Sequence, residues 1–347
     1  MTGGSVLVPS GGKSVGLVLQ LKEALAGVGP LRGGRVLVAD RARVTPAGAF
    51  ADGAFLVPDA GHPDYVPALL RLCGEERVRV LLPVIDLDLD RLAPHAESFA
   101  ARGTTLVSPP PHLKETCLDK ARFAAFCREA GLPHPRGYER SALADAPFPL
   151  FAKRRRGFGS IGAGICRTFD DALRALDRDA DLVFQEIVRE PEVSVDAFVS
   201  RDGRCLVRVP RVRDRVVGGE VHQSHTVRAP AVAALADRAI AALVGIGLTG
   251  PLNVQLFAGA EPVLIEVNTR LGSGCVLSNA ATGGRLLATV LKDACGAVCD
   301  GDRDDYAAGL WLQRYWGDIV HDGVRALSSH PGAPAAPEAM PAAVEAR

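Results

Sequence analysis

Apolar positions change rhythm along this chain, and each change marks an element. SVLVP (Ser5 to Pro9), RVLVA (Arg35 to Ala39) and VRVLLP (Val78 to Pro83) are short, nearly continuous apolar runs. That is the pattern of strands buried on both faces. The spacing predicts a helix over Val15 to Ala26 and further helical segments between the runs. Strand–helix alternation predicts a parallel sheet with helices on its faces. The PPP run at 109–111 closes this unit.

Beyond it the pattern predicts one helix from Lys114 to Gly131, stopped by Gly-Leu-Pro. Strands are then predicted at Pro149 to Lys153, Ile165 to Thr168 and Val183 to Val188, with a helix at Asp170 to Leu176. EVSVDAFV (Glu192 to Val199) alternates strictly, and Arg204 to Val209 continues as its antiparallel partner. A helix is predicted over Val232 to Leu243. Strands at Leu252 to Phe257 and Pro262 to Val267 follow, joined by AGAE. From Pro331 the chain is rich in Ala and Pro, the composition of a frayed tail.

Composition narrows the class. The 347 residues are 48% hydrophobic and 23% charged, enough for a large core and two or three domains. The formal net charge is zero, which gives no electrostatic reason to expect nucleic acid or an anionic membrane. No apolar stretch reaches membrane-span length, and the N-terminus lacks a charged leader pattern. Eight scattered cysteines, such as Cys127, Cys166 and Cys205, predict buried reduced thiols in a cytoplasmic protein. Cys295 and Cys299 are spaced CxxxC, a weak metal pattern. His222 and His225 form HxxH in what reads as a polar loop, with no third ligand nearby.

Two glycine motifs carry less than they suggest. SGGKS at 10–14 lacks the Walker glycine, because Leu7 stands in its place. It reads as a strand-to-helix turn, with backbone approach or anion contact as the open alternative. GFGSIG at 157–162 satisfies GxGxxG, but a strand follows it where a dinucleotide site needs a helix. The loop is therefore predicted as a hairpin tip. Its glycines would let backbone N–H groups approach phosphate oxygens, with Lys153 and Arg154 to Arg156 supplying charge. A solvated basic hairpin is the alternative.

LIEVNTRLGSG (264–274) holds the sharpest signal. Glu266 and Asn268 interrupt an apolar strand at a spacing of two, so they share one face. Gln255 and Asn253 lie on the paired strand. Carboxylate and amide oxygens together suit magnesium.

The stretch NVQLFAGAEPVLIEVNTRLGSGCVLSNAATG resembles the core signature of the ATP-grasp superfamily, in the branch of carbamoyl-phosphate synthase large subunits, biotin carboxylases and carboxylate–amine ligases. VLVPSGGKSVGLVLQLKEA and LLPVIDLDLDRLA resemble its preceding nucleotide-fold-like domain. LDKARFAAFCREAGLPHPR, PLFAKRRRGFGSIGAG and VFQEIVREPEVSVDAFV resemble the opening helix, the lid and the hinge. The resemblance implies an α/β chain, α+β in the grasp module. It divides into an N-terminal domain (1–112), a lid subdomain with its linking helix (113–187), a C-terminal antiparallel-sheet subdomain with the metal site (188–327) and a flexible tail (328–347).

The same resemblance implies roles for single residues. Lys120 and Lys153 contact ATP phosphates, with Gly157, Gly159, Ser160 and Gly162 in the covering loop. Glu186, Ile187 and Val188 bind adenine, and Glu192 binds the ribose. Gln255, Glu266 and Asn268 hold Mg2+ or Mn2+. Arg270 acts in catalysis with Lys153 and Lys120, stabilising the acyl-phosphate chemistry. Arg211 and Arg213 share one strand face where related ligases line the acceptor pocket, and either could grip the substrate carboxylate, with a solvated basic strand as the alternative; Gly272, Ser273 and Gly274 are expected to border the same pocket. The implied enzyme joins a small carboxylic acid or amino acid to an amine at the expense of ATP, in the cytoplasm. Its partners are small molecules rather than nucleic acid or membrane, with a homodimer as a compatible assembly. A carboxylase-like or carbamate-phosphorylating enzyme, and an ATP-binding regulator without catalysis, remain as alternatives.

Overall fold

The computed structural model describes residues 3–157, 162–315, 317–319 and 328–329. The chain divides into two compact units, 1–106 with 318–347, and 107–317.

In the first unit, strands β1 (Ser5–Pro9), β2 (Val36–Asp40), β3 (Gly53–Leu56), β4 (Val78–Leu81) and β5 (Thr105–Leu106) form a parallel sheet in the order β3-β2-β1-β4-β5. The apolar runs are explained by this position, since β1 is buried at all five residues. One face of the sheet is covered by Leu69, Leu72 and Phe99, which pack on Leu7, Leu37 and Leu81. The SGGKS turn is a backbone-approach site. The Gly12 N–H donates to Asp40 Oδ2 (2.9 Å), and a Cβ on Gly12 would lie 2.6 Å from that oxygen. The anion alternative fits poorly, because a carboxylate already takes that N–H.

The second unit contains two antiparallel sheets. The smaller comprises β6 (Gly137–Tyr138), β7 (Leu150–Arg154), β8 (Gly164–Cys166) and β9 (Leu182–Glu186), in the order β6-β9-β7-β8. β7 and β8 pair antiparallel, so GFGSIG does join two strands of a hairpin. The helix Phe169–Arg178 closes over this sheet, its start fixed by a Thr168/Asp171 capping box. Leu143, Leu150, Ala152, Ala172, Leu176 and Phe184 form a separate small core.

The larger sheet comprises β10 (Glu192–Val199), β11 (Cys205–Val217), β12 (Glu220–Thr226), β13 (Gly250–Phe257), β14 (Val263–Asn268) and β15 (Trp311–Gln313), ordered β14-β13-β10-β11-β12-β15. Alternation in EVSVDAFV sorts its residues. Val193, Val195, Ala197 and Val199 enter a core with the helix Pro230–Val244, and Glu192, Ser194 and Asp196 take the other face.

Four expectations change. The single helix over 114–131 is two helices, Pro111–Leu118 and Lys120–Glu129, broken at Asp119. Asp119 has extended φ/ψ, and its side chain accepts from the Ala121 and Arg122 N–H groups as an N-cap. Leu113, Cys117, Phe123 and Cys127 of these helices pack into the core of the larger sheet, not the smaller one. HxxH lies on strand β12, not in a loop, and His225 Nδ1 lies 2.8 Å from Asp214 Oδ2 on the neighbouring strand β11. Ser328–Ser329, expected in a flexible tail, form a short strand (β16) parallel to β3; residues 330–347 lie outside the described residues.

Candidate active site

The polar face of the larger sheet and the inner face of the smaller one line a cleft of ≈ 370 Å³ in the second unit. Lys120, Lys153, Gly157, Glu186, Ile187, Val188, Glu192, Arg213, Gln255 and Glu266 all line it, together with the apolar Phe151, Phe257 and Ile265. Sequence positions more than 140 apart thus meet at one place. Gly159 and Ser160 lie outside the described residues.

The basic side of the cleft is built by local capping. Asp119, almost wholly buried, caps the helix that begins at Lys120. Its carboxylate also accepts a bifurcated hydrogen bond from Arg155 Nε (2.9 Å to each oxygen), with Arg155 Nη2 2.8 Å from Oδ2. Burial opposes its charge, but the Arg155 and backbone hydrogen bonds outweigh it and hold the carboxyl below its ordinary range. The Lys120 N–H donates to Arg155 O (3.0 Å), and Lys120 Nζ donates to Gly157 O (3.0 Å). The start of the helix and the root of the glycine loop are therefore tied three times.

Lys153 projects from β7 into the same cleft. Desolvation brings its pKa down to about 8; the Glu266 charge opposes that shift, Lys120 adds to it, and Glu192 opposes it. This predicts a pH dependence. Lys153 is protonated below about 8, so affinity for an anionic ligand should fall as pH rises through that value. Measured nucleotide affinity between pH 6.5 and 9.5 should show this fall in the wild type. In Lys153→Met it should be weak and flat across the range. A steep profile surviving in the variant would assign the titration to another group.

The opposite wall carries the oxygen donors. Gln255 and Glu266 face each other across β13 and β14, and Asn253 faces Asn268. Asn268 Nδ2 lies 3.4 Å from Glu266 Oε1, and Gln255 Nε2 lies 3.4 Å from Asn253 Oδ1. One carboxylate and two amides match what magnesium takes when a phosphate ligand supplies the rest. Among the described residues no group of three or more His, Cys, Asp or Glu could hold a metal by itself.

Below this wall lies a polar cluster that sequence reading did not single out. Asp196 is fully buried and accepts from Arg211 Nε (2.8 Å), Asn253 Nδ2 (2.6 Å) and Ser278 Oγ (2.6 Å). Burial alone would raise its pKa; the Arg211 charge and these hydrogen bonds overcome it and keep the carboxyl low. The loop after β14 rests on the cluster. A Cβ on Gly272 would lie 3.1 Å from Asn253 Cγ, and one on Gly274 would lie 2.4 Å from Arg211 Cζ. These glycines serve close backbone approach.

That placement corrects one expectation. Arg211 is 1% exposed and committed to Asp196, so it cannot grip an incoming acid. Arg213 does line the cleft, but its Nε lies 3.0 Å from Glu192 Oε2, beside the expected ribose carboxylate. Glu186 Oε1 accepts the Arg136 N–H (2.9 Å), which pins the end of β9. Arg270 follows β14, where its Nη1 donates to Leu271 O (3.2 Å); Asn268, Arg270, Ser273 and Gly162 are not among the residues lining the cleft. Cys275 is buried and its thiol is pushed up to about 12, the property of a packing residue.

Comparison with known proteins agrees with this geometry. Residues 6–107 match the PylC-like N-terminal domain and residues 117–274 the ATP-grasp domain. The carbamoyl phosphate synthase large chain of Neisseria meningitidis serogroup B is 24% identical over 217 residues, covering 55% of this chain and 20% of that protein. The match thus spans about a fifth of that relative. The biotin carboxylase domain of Hydrogenobacter thermophilus 2-oxoglutarate carboxylase, in complex with MgADP, ADP and bicarbonate, superposes with a TM-score of 0.71 at 17% identity, covering 90% of this chain and 74% of that one. The L-amino acid ligase of Bacillus licheniformis gives 0.63 at 17% identity, with 86% and 75% covered. With its two domain matches in order and its cleft between two antiparallel sheets, this chain carries an ATP-grasp domain over residues 117–274, preceded by a PylC-like N-terminal domain over residues 6–107.

Proposed function

We propose that the protein is an ATP-dependent ligase that joins a small carboxylic acid or amino acid to an amine through an acyl phosphate, releasing ADP and phosphate. One observation carries the reading. Lys120 and Lys153 stand in the same cleft as Gln255 and Glu266, with an apolar slot of Phe151, Phe257, Ile265 and Val188 beside them. Cations, oxygen donors and a flat apolar slot are the three needs of a nucleoside triphosphate.

Phosphoryl transfer asks for positioning and charge neutralisation more than covalent help. The nucleotide base would enter the apolar slot, with Glu186, Ile187 and Val188 along its edge. Lys120 and Lys153 would hold the phosphates from the loop side. Gln255, Glu266 and Asn268 would hold Mg2+ or Mn2+, which neutralises phosphate charge when bound. The substrate carboxylate attacks the γ-phosphorus, and the β–γ bridging oxygen leaves with ADP. The amine then attacks the acyl carbon, loses a proton, and inorganic phosphate departs. Arg270, immediately beyond the metal strand, is proposed to stabilise charge on the transferred group. The glycine loop, Gly159 and Ser160 included, is proposed to cover the phosphates, and Gly272 to Gly274 to border the acid.

The test is an ADP-release screen of purified protein over paired acids and amines, with product masses and hydroxylamine as a trap. The expected result is ADP release that needs an organic acid, with a hydroxamate when hydroxylamine replaces the amine. Turnover that needs bicarbonate instead would assign carboxylase-like or carbamate chemistry. ATP binding without turnover across the panel would assign a regulator. AMP and pyrophosphate as products would overturn the acyl-phosphate route. Cys73, Cys117, Cys127, Cys166, Cys275 and Cys299 are buried thiols, which supports the cytoplasm as its compartment. No helix of the described residues is long and apolar enough to cross a membrane. A homodimer is proposed from the dimeric Hydrogenobacter neighbour.

A further inference from the structure

Strand β8 separates two cavities. On β7, Phe151 and Lys153 face the cleft, and Ala152 between them faces a second cavity of ≈ 410 Å³ on the outer side of the smaller sheet. Ala163 and Ile165 line both, so the wall between the cavities is one strand thick, and β8 is an edge strand of its sheet. The second cavity lies between β8 and the helix Phe169–Arg178. It stays open because Ala152, Gly164 and Ala175, which meet there, are small. Gly164 pairs with Ala152, so a side chain at 164 would point into this cavity; beyond its chain neighbours, no atom lies within 4 Å of a Cβ built there. Its φ lies outside the left-handed region, so the backbone does not require glycine. What the glycine provides is room.

The rim of this room is basic. Arg167, Arg174 and Arg178 border it, against one carboxylate, Asp171. Asp171 is already engaged: Oδ2 accepts the Arg167 and Thr168 N–H groups (2.8 and 3.2 Å), and Oδ1 accepts from Arg174 Nη2 (2.7 Å). The guanidinium groups of Arg167 and Arg178 have no hydrogen bond or ion pair among the described residues. Arg174 and Arg178 stand one helical turn apart, where like charges destabilise a helix. An anion relieves that repulsion, and free guanidinium groups suit the oxygens of a carboxylate or phosphate. The small apolar floor accepts a compact hydrocarbon body, and the volume is that of a small-molecule site. We propose that this groove binds a compact organic anion, a carboxylate or phosphate on an apolar body, and that its occupancy tightens nucleotide binding in the cleft across β8. Ile165, 51% exposed, is shared by both cavities, so an anion that ties β8 to the helix fixes part of the cleft wall before the nucleotide arrives. The groove stands apart from the ATP reading; the coupling rests on it.

Titration calorimetry on the full chain tests this, with phenyl phosphate, benzoate and inorganic phosphate as probes and saturating MgADP to keep the cleft filled. At least one of the two organic anions should bind once per chain, about tenfold or more tighter than inorganic phosphate, which lacks the apolar body. Which of the two binds tells a phosphate ligand from a carboxylate. That anion should tighten MgADP about fivefold or more, and MgADP should tighten the anion by the same factor. Gly164→Val, which fills the cavity, and Arg178→Ala should each weaken the organic anion at least about tenfold, while MgADP affinity without the anion stays within about twofold. Thermal melts check folding, and Arg167→Ala replaces either variant that does not fold. No binding of either organic anion, binding that survives both substitutions in folded protein, or inorganic phosphate binding equally well overturns the groove. Binding with unchanged MgADP affinity overturns the coupling. Failure of the wild type to bind MgADP would instead remove the ATP reading and the coupling with it; the organic anions titrated alone against wild type and Gly164→Val then still decide the groove.

Discussion

Glu266→Gln is expected to remove nearly all ATP-dependent turnover while leaving the fold intact. Glu266 is the one carboxylate among Gln255, Glu266 and Asn268, and the substitution keeps its shape while deleting its charge. A divalent cation would then face three neutral side chains, and Lys153 would lose the anion that favours its protonated form. Removal of one preorganised charge at a phosphoryl-transfer site costs at least ~100-fold in rate, about 2.7 kcal/mol of barrier. The fold should tolerate the change, because Glu266 is only half-buried and its one contact described above is a long one with Asn268. Initial rates of ADP release over a magnesium titration, with melting curves alongside, measure both. Wild-type turnover at limiting magnesium would show that Glu266 holds no metal.

The largest effect on stability is expected from Asp196→Ala. The substitution strands the Arg211 guanidinium, 1% exposed and already short of an acceptor at Nη1, and takes a partner from Asn253 and Ser278. Breaking a buried pair from one side costs roughly 3–5 kcal/mol, since the remaining charge stays desolvated. Urea unfolding of the wild type and the variant should differ by that amount at neutral pH. The pH dependence has a definite sign. The folded-state pKa of Asp196 lies below its ordinary value, so the pair contributes fully above the ordinary carboxylate range. The contribution is lost as pH falls through the depressed folded value, and the gap between wild type and variant should close only well below about pH 4. The double substitution Asp196→Ala with Arg211→Met should recover part of the loss, because it removes the stranded charge. Equal stability of wild type and Asp196→Ala at pH 7 would mean that the cluster does not support the wall that carries Gln255 and Glu266.

Legibility of these features followed the strength of each local signal. The parallel sheet was readable because β1 and β2 are buried on both faces and so have no polar interruptions. The facing of Gln255 and Glu266 was readable from strand periodicity. Asp196 carries the same signal, a polar residue at a spacing of two within VSVD, but its importance comes from Arg211 and Ser278, which no local window contains. β12 was missed because Val221 is its one large apolar residue; pairing with β11 and β15 makes it a strand. The break at Asp119 had a visible cue, an N-cap residue ahead of KARF, masked by continuous helical spacing on both sides. The sharing of a strand face by Arg211 and Arg213 was legible, but not their division of labour, since one lies under a glycine loop and the other in the open cleft.

The triple tie between Asp119, Lys120 and the root of the glycine loop constrains how this protein can be rebuilt. A chimera that imports a relative's 154–164 segment alone would meet the host helix at a seam where one carboxylate serves as both helix cap and loop anchor. The transplantable part is therefore discontinuous, residues 119–120 together with the hairpin. Exchanging either half by itself should yield proteins with a frayed helix start and with Lys120 out of step with its loop.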